Sequence, residues 1–259
     1  MQVALKNADL PVAIDITLYY HAVVTQTLGE FSWDPYRAVL FDLDGVITPT
    51  AEVHEKAWAA LFAAFNYTEG DYFKYIDGKP RYDGVRSFLA SRNVVLPEGT
   101  PDSPAAEDSV CGYGNRKNEL FVQILASGGV QPYPGSSALL EFLRRKNFPS
   151  AIVSSSRNAE MVLNAAGLKG VFEVIVDGNV ITQKQLRGKP APDAFLLGAQ
   201  LLNVEPNQVV VVEDAISGVQ AGANGGFGLV VGVDRGIGGQ TLSAAGADLV
   251  VGDLAELVK

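Results

Sequence analysis

The chain has 259 residues, 47% of them hydrophobic and 19% charged, a balance that suits a globular protein with a sizeable core. Its net charge of −9 and pI near 4.7 argue against a nucleic-acid or anionic-membrane partner, which a basic face would serve. One cysteine (Cys111) and two histidines (His21 and His54) leave no internal disulfide and a poor basis for a zinc cluster, so any metal should be a hard cation held by oxygen.

Residues 1–36 read as an N-terminal arm. Their apolar part contains an aspartate and follows a single lysine, which makes a poor signal peptide. No apolar run reaches the ~18 residues that a membrane span needs. The expected location is therefore the cytoplasm, with no membrane partner.

The first strand is AVLFD, 38–42. Residues 50–132 then break into helical patterns, EVHEKAWAALFAAF (52–65), GVRSFLASR (84–92) and NRKNELFVQILASGG (115–129), with LPEGTPDSPAAEDS (96–109) as a solvated loop. We read this stretch as an inserted helical domain bordered by the proline-bearing linkers VITPT and QPYPG. Beyond it, strand-like runs at 150–156, 172–177, 208–214, 228–234 and 247–253 alternate with helical runs at 136–146, 158–167, 192–203 and 215–225. The strands are Val- and Ile-rich without strict alternation, as in a parallel sheet covered on both faces. The pattern predicts an α/β, doubly wound, Rossmann-like three-layer sandwich. Its core domain is built from 37–49 and 133–259, with the helical insertion 50–132 between them. The glycine-rich 225–239 stretch lacks a G-x-G-x-x-G spacing and reads as turns flanking a strand.

In open α/β sheets, ligands bind beyond the carboxyl ends of the strands. Asp42 and Asp44 lie there after the first strand, Ser154, Ser155 and Ser156 after the second, and Glu213 with Asp214 after the fourth. Lys189, in RGKPAPD, precedes a helix opened by Pro192. Each has an ordinary explanation as a turn, cap or helix start. Together they offer more. Four carboxylates, from Asp42, Asp44, Glu213 and Asp214, call for a compensating cation, and Mg²⁺ with a substrate phosphate fits. A carboxylate can attack phosphorus, a second can move the proton, and a hydroxyl and a lysine can hold phosphoryl oxygens.

In that order, FDLDGV, IVSSS, GKPAPD and VVEDA resemble the four motifs of the haloacid dehalogenase-like superfamily of phosphotransferases, over residues 37–235. The resemblance implies Mg²⁺, Asp42 as nucleophile and Asp44 as acid/base. It also implies Ser154 and Lys189 on the phosphoryl group, Asp214 with Glu213 at the metal, and a mobile helical cap after the first motif. The segment DLDGVITPTAEVHEKAW, with SSSRN, KPAPD and Lys117-Asn118, is most similar to the β-phosphoglucomutase branch. That likeness implies that Thr50, His54 and Lys117 couple cap closure to Asp44. It also implies that Ser156, Arg157 and Asn158 lie near the transferred phosphate, and that Arg81 grips the distal phosphate, with Arg86 as the competitor. A small phosphosugar is then the expected partner of a monomer or weak homodimer. The alternative is a sugar-phosphate phosphatase on the same core. The branch usually carries Asp where this chain has Pro49, and 66–116 fits its pattern poorly.

Overall fold

The structure is a computed structural model that describes residues 31–259; the arm up to residue 30 lies outside the described residues. Six strands form one fully parallel sheet, β1 (Ala38–Phe41), β2 (Ser150–Val153), β3 (Val174–Val176), β4 (Val209–Glu213), β5 (Leu229–Val233) and β6 (Leu249–Val251), in the spatial order β3-β2-β1-β4-β5-β6. Order reverses between β1 and β4, on either side of the first strand, and this is where an α/β sheet opens a crevice. The α/β expectation thus holds, and all six strands fall inside the predicted runs.

The alternation of a strand separates two apolar layers. Val39 and Phe41 of β1 join Val210 and Val212 of β4 in a core that includes Leu139, Leu143, Val162 and Leu254. Ala38 and Leu40 join Val209 and Val211 in the opposite core, with Phe195 and Ala199. Because both faces are covered, no strand needs polar residues on one side.

Three long helices lie between β1 and β2: α1 (Thr50–Phe62), α2 (Arg81–Ser91) and α3 (Val110–Gly128), with helical turns over Glu69–Asp71 and Tyr72–Ile76. They share an apolar core of their own, which includes Trp58, Phe62, Ile76, Phe88 and Leu89, and the Phe62 and Phe88 rings stack 4.1 Å apart. The 96–109 loop is more tied down than a solvated loop need be. Ser109 is fully buried and caps α3 by accepting from the Gly112 N–H at 3.0 Å. The chain returns to the sheet through α4 (Pro134–Arg145), α5 (Ala159–Ala165), α6 (Gly178–Gln183), α7 (Asp193–Leu201), α8 (Ile216–Asn224) and α9 (Gly239–Ala245). The sequence patterns did not single out α6 and α9, which are 6 and 7 residues long; α5 is as short, but its run NAEMVLNAAG carries apolar residues at helical spacing.

The two linkers of the insertion meet. Tyr133 donates its N–H to the Ile47 carbonyl at 3.0 Å, and the Ser136 hydroxyl donates to Val46 O at 2.7 Å. Arg235 donates to Gly45 O at 2.7 Å, and its guanidinium lies 3.8 Å above the Tyr133 ring. Of the arm, residues 31–36 pack on the sheet domain, where the Trp33 indole N–H donates to Leu257 O at 2.9 Å.

Candidate active site

A cavity of about 670 Å³, counting its open mouth, lies between the carboxyl ends of the strands and the helical insertion. Asp42, Asp44, Ser154, Glu213 and Asp214 reach it from the sheet, and His54, Asp77, Arg81 and Lys117 from the insertion.

Asp42 ends β1 with its N–H on Val212 O at 2.9 Å, and it is 6% exposed. One carboxylate oxygen, Oδ1, accepts from Lys189 Nζ at 2.5 Å, and Oδ2 accepts from the Asp44 N–H at 2.8 Å. Lys189 is equally buried. It also donates to Glu213 Oε1 at 2.6 Å and to Val153 O at 3.2 Å. Glu213 thus departs from the expected direct metal ligand. Its Oε1 faces Lys189, and its Oε2 accepts the N–H groups of Asp214 and Ala215 at 2.8 and 2.9 Å. Asp214 has no such engagement. Gly45 turns beside it with φ +87°, and a Cβ there would strike the Asp214 carboxylate, so the turn after Asp44 requires glycine.

The Lys189 ammonium pairs with Asp42 and Glu213 and leaves Asp214 beside them without a paired cation among the described residues. Burial, opposed by Lys189 and reinforced by Glu213 and Asp44, pushes Asp42 up to about 8. Burial, with Glu213, Asp77 and Asp42 as like-charged neighbours, raises Asp214 well above the usual carboxylate range. A divalent cation would relieve this excess, and the donors are hard oxygens suited to Mg²⁺. Among the described residues, no three Asp, Glu, His or Cys side chains converge tightly enough to cage a metal by themselves. An ion here would share its shell with water or substrate oxygens, as Mg²⁺ commonly does.

Asp44 has a different environment. Burial raises it, but His54, the Thr50 hydroxyl and Lys117 together bring it down to about 2. Thr50 donates to Asp44 Oδ1 and contacts Thr48 Oγ1 at 2.8 Å. His54 Nε2 lies 3.4 Å from the same Asp44 oxygen, and its Nδ1 meets Lys117 Nζ. The His54 ring stacks on Phe121 at 4.1 Å, and Lys117 Nζ lies 5.1 Å from the Trp58 ring. Burial, then Arg81, holds Lys117 well below the ordinary lysine range. Burial and then Lys117 lower His54. Helices α1 and α3 of the insertion therefore hold a chain of polar contacts that ends on Asp44.

Ser154 is 1% exposed. Its hydroxyl lies 3.4 Å from Asp44 Oδ2 and accepts the Ser156 N–H at 3.1 Å. Ser156 in turn accepts the Asn158 N–H at 3.2 Å. At the other end of the cavity, Asn118 Oδ1 accepts from Arg81 at 2.8 Å and from the Asn158 amide at 2.7 Å. Arg157 lies 5.1 Å over the Tyr82 ring, beside Arg81. Burial and the like charge of Arg157 outweigh Tyr82 and lower Arg81 to about 10, so it stays charged at neutral pH. Arg86 points elsewhere. It pairs with Asp83 and Glu98 on the outer surface, so of these two arginines it is Arg81 that lines the cavity.

Two charged cavity residues escaped the sequence reading, Asp77 and Lys79. They occupy the turn before α2, where IDGKP reads as an ordinary loop. The available signal was an acid four residues before Arg81 in one turn. The turn sits on the sheet domain. The Ser155 hydroxyl donates to Gly78 O at 2.9 Å, and Ser217 donates to Asp77 O at 3.4 Å. Gly78 has φ +70°, and any Cβ there would strike Ser217.

A family model for haloacid dehalogenase-like hydrolases matches residues 36–226. The chain is 45% identical over 241 residues to a β-phosphoglucomutase of Mycobacterium bovis, covering 86% of this chain and 91% of that protein. It is 32% identical over 192 residues to hexitol phosphatase A of Escherichia coli, covering 73% and 80%. The crystal structure of a β-phosphoglucomutase from Clostridium difficile aligns with a TM-score of 0.72 at 27% identity, over 86% of this chain and 93% of that one. The chain belongs to the haloacid dehalogenase-like hydrolase family.

Proposed function

For a member of this family with a cavity of this kind, we propose a Mg²⁺-dependent phosphosugar mutase. It interconverts β-glucose 1-phosphate and glucose 6-phosphate through the 1,6-bisphosphate and a phosphorylated Asp42. The observation that carries this reading is a cavity lined both by Asp42 and Ser154 of the sheet domain and by the half-buried Arg81 of the insertion, with Arg157 also lining it. A hydrolase needs one phosphate grip, whereas a mutase must hold a bisphosphate by both ends and turn it round.

On this reading the roles divide as follows. An oxygen of Asp42 attacks phosphorus as the bond from phosphorus to the sugar oxygen breaks. Asp44, ionised at neutral pH, takes the proton of the sugar hydroxyl that attacks phospho-Asp42, and gives that proton to the leaving sugar oxygen when Asp42 attacks the other phosphate. Lys189 and Ser154 offset the charge on the phosphoryl oxygens. Arg81, a planar fork, binds the distal phosphate bidentately, while Ser156 and Asn158 lie near the transferred phosphate. Asp42, Asp44 and Asp214 would hold Mg²⁺, with Glu213 behind them positioning Lys189, and the ion would supply positive charge against the phosphoryl group. Thr50, His54 and Lys117 tie the protonation of Asp44 to the seating of the insertion. That insertion, 50–132, acts as a cap on a core made of 37–49 and 133–259, and its closure excludes the water that would hydrolyse phospho-Asp42.

The hexitol phosphatase likeness favours hydrolysis as the second reading. Purified protein with Mg²⁺ and β-glucose 1-phosphate, primed with β-glucose 1,6-bisphosphate, should yield glucose 6-phosphate. Free phosphate as the main product would sink the mutase reading in favour of the phosphatase.

A further inference from the structure

Asp77 is a carboxylate in the middle of an anion-binding cavity, and none of the roles above uses it. It lines the same cavity as Asp42, Ser154 and Arg81. Among the described residues no lysine, arginine or histidine forms a salt bridge with it. Its close polar neighbours are the Tyr72 side chain and the Gly78 N–H. The turn that carries it is fixed through backbone atoms. Its own N–H donates to Tyr72 O at 2.9 Å, its carbonyl accepts from Ser217 at 3.4 Å, and the next carbonyl accepts from Ser155 at 2.9 Å. Burial and the charge of Glu213 disfavour its ionised form and push it up to about 7.

A carboxylate so placed repels phosphate and has no cation within ion-pair distance among the described residues, Lys189 attracting it only from beyond Asp42 and Glu213. It has acceptor capacity left, since two oxygens offer about four lone-pair positions. The groups that can use that capacity are neutral donors on the bound molecule. Between two phosphate grips, a phosphosugar presents its ring hydroxyls.

We propose that Asp77 is the specificity-determining residue of this site, accepting hydrogen bonds from ring hydroxyls of the phosphosugar. The inference rests on the phosphosugar reading above and deepens it. It explains why a cap turn is pinned at three backbone points to present one acid. It also predicts selection by polarity. A site built to bond a hydroxyl rejects an analogue that lacks it, because the buried acceptor is left unpaired.

The test compares β-glucose 1-phosphate with its 2-deoxy, 3-deoxy and 4-deoxy analogues, read as kcat/KM for consumption of the sugar phosphate whatever the product. Wild type should reject at least one analogue by about 30-fold or more. Asp77→Ala keeps the backbone contacts of the turn and should bring that ratio to within about threefold of unity, losing the hydroxyl-bearing substrate while sparing the deoxy one. Asp77→Asn retains an acceptor oxygen and should restore part of the discrimination. An Asp77→Ala ratio equal to wild type, or uniform loss on every analogue, overturns the assignment and leaves the phosphosugar reading standing. If wild type consumes no sugar phosphate at all, the phosphosugar reading itself fails. Thermal unfolding of both variants separates a folding defect from lost recognition.

Discussion

Lys189→Met removes the one ammonium that faces Asp42 and Glu213 and keeps most of its volume. The Lys189, Asp42 and Glu213 side chains are 2%, 9% and 1% exposed, so solvent cannot replace the lost charge. Removing one partner of a buried ion pair costs about 3–5 kcal/mol, because the other is left uncompensated. For a domain of this size each kcal/mol moves the melting midpoint by about 2–4 °C, so a fall of roughly 6–20 °C is expected in metal-free buffer. The effect should depend on pH. Asp42 is raised to about 8 in the fold, against about 4 for a free aspartate. Its contribution to stability is therefore complete below about pH 4 and is lost as pH rises through 8. Without Lys189, which lowers Asp42, the folded value climbs further, so the deficit should change little from pH 5 to 7 and grow as pH rises through 8 and beyond. Adding Glu213→Gln should recover part of it, since one of the two stranded charges disappears. Phosphoryl transfer should fall at least about 100-fold. A midpoint within about 2 °C of wild type at pH 8, or a deficit that does not grow between about pH 7 and 9, would refute the charge balance argued here.

Asp42→Asn should abolish turnover, yet in metal-free buffer at pH 8 it should melt no lower than wild type, because it removes a buried, repelled charge; turnover retained, or a lower midpoint, contradicts this. Mg²⁺ must displace the proton that burial favours on Asp42, so its affinity, measured by calorimetry, should rise about tenfold per pH unit between pH 6 and 8; a flat profile would remove Asp42 from the metal site. Arg81→Ala should cut mutase kcat/KM about 10- to 100-fold through the lost charge-assisted pair with phosphate. Arg86→Ala, on an exposed ion pair, should stay within about twofold. Equal losses would move the distal grip away from Arg81.

The parts of this molecule legible in its sequence are those set by short-range rules. Runs such as VVVVE can only be buried strands, and polar residues that close such runs must emerge at one edge of a parallel sheet. Asp42, Ser154 and Glu213 were found that way, because strand direction alone places them. Helices α6 and α9, of 6 and 7 residues, were missed, although the equally short α5 was found from its apolar spacing. Glu213 shows a second limit. Its position follows from β4, but its neighbours follow from Lys189, 24 positions away in the chain, and those neighbours take it from facing a metal to holding a lysine.

The insertion shows the deeper limit. Arg81 and Arg86 are five residues apart on one helix and look alike in sequence. Burial separates them, and burial here comes from contacts with the sheet domain across the cavity. Asn118 takes hydrogen bonds from Arg81 of the insertion and from Asn158 after β2, so the orientation of the arginine depends on the seating of one domain on the other. Asp77 depends on the same contact, through Ser155 and Ser217. Residues that act only when two domains meet carry no local signature, because neither domain's sequence pattern specifies the gap between them. In this chain the reacting groups lie on the sheet and could be read from its strands. The groups proposed to decide between transfer to sugar and transfer to water lie on the insertion, where Arg81 and Lys117 join the sheet's residues only in the lining of the cavity.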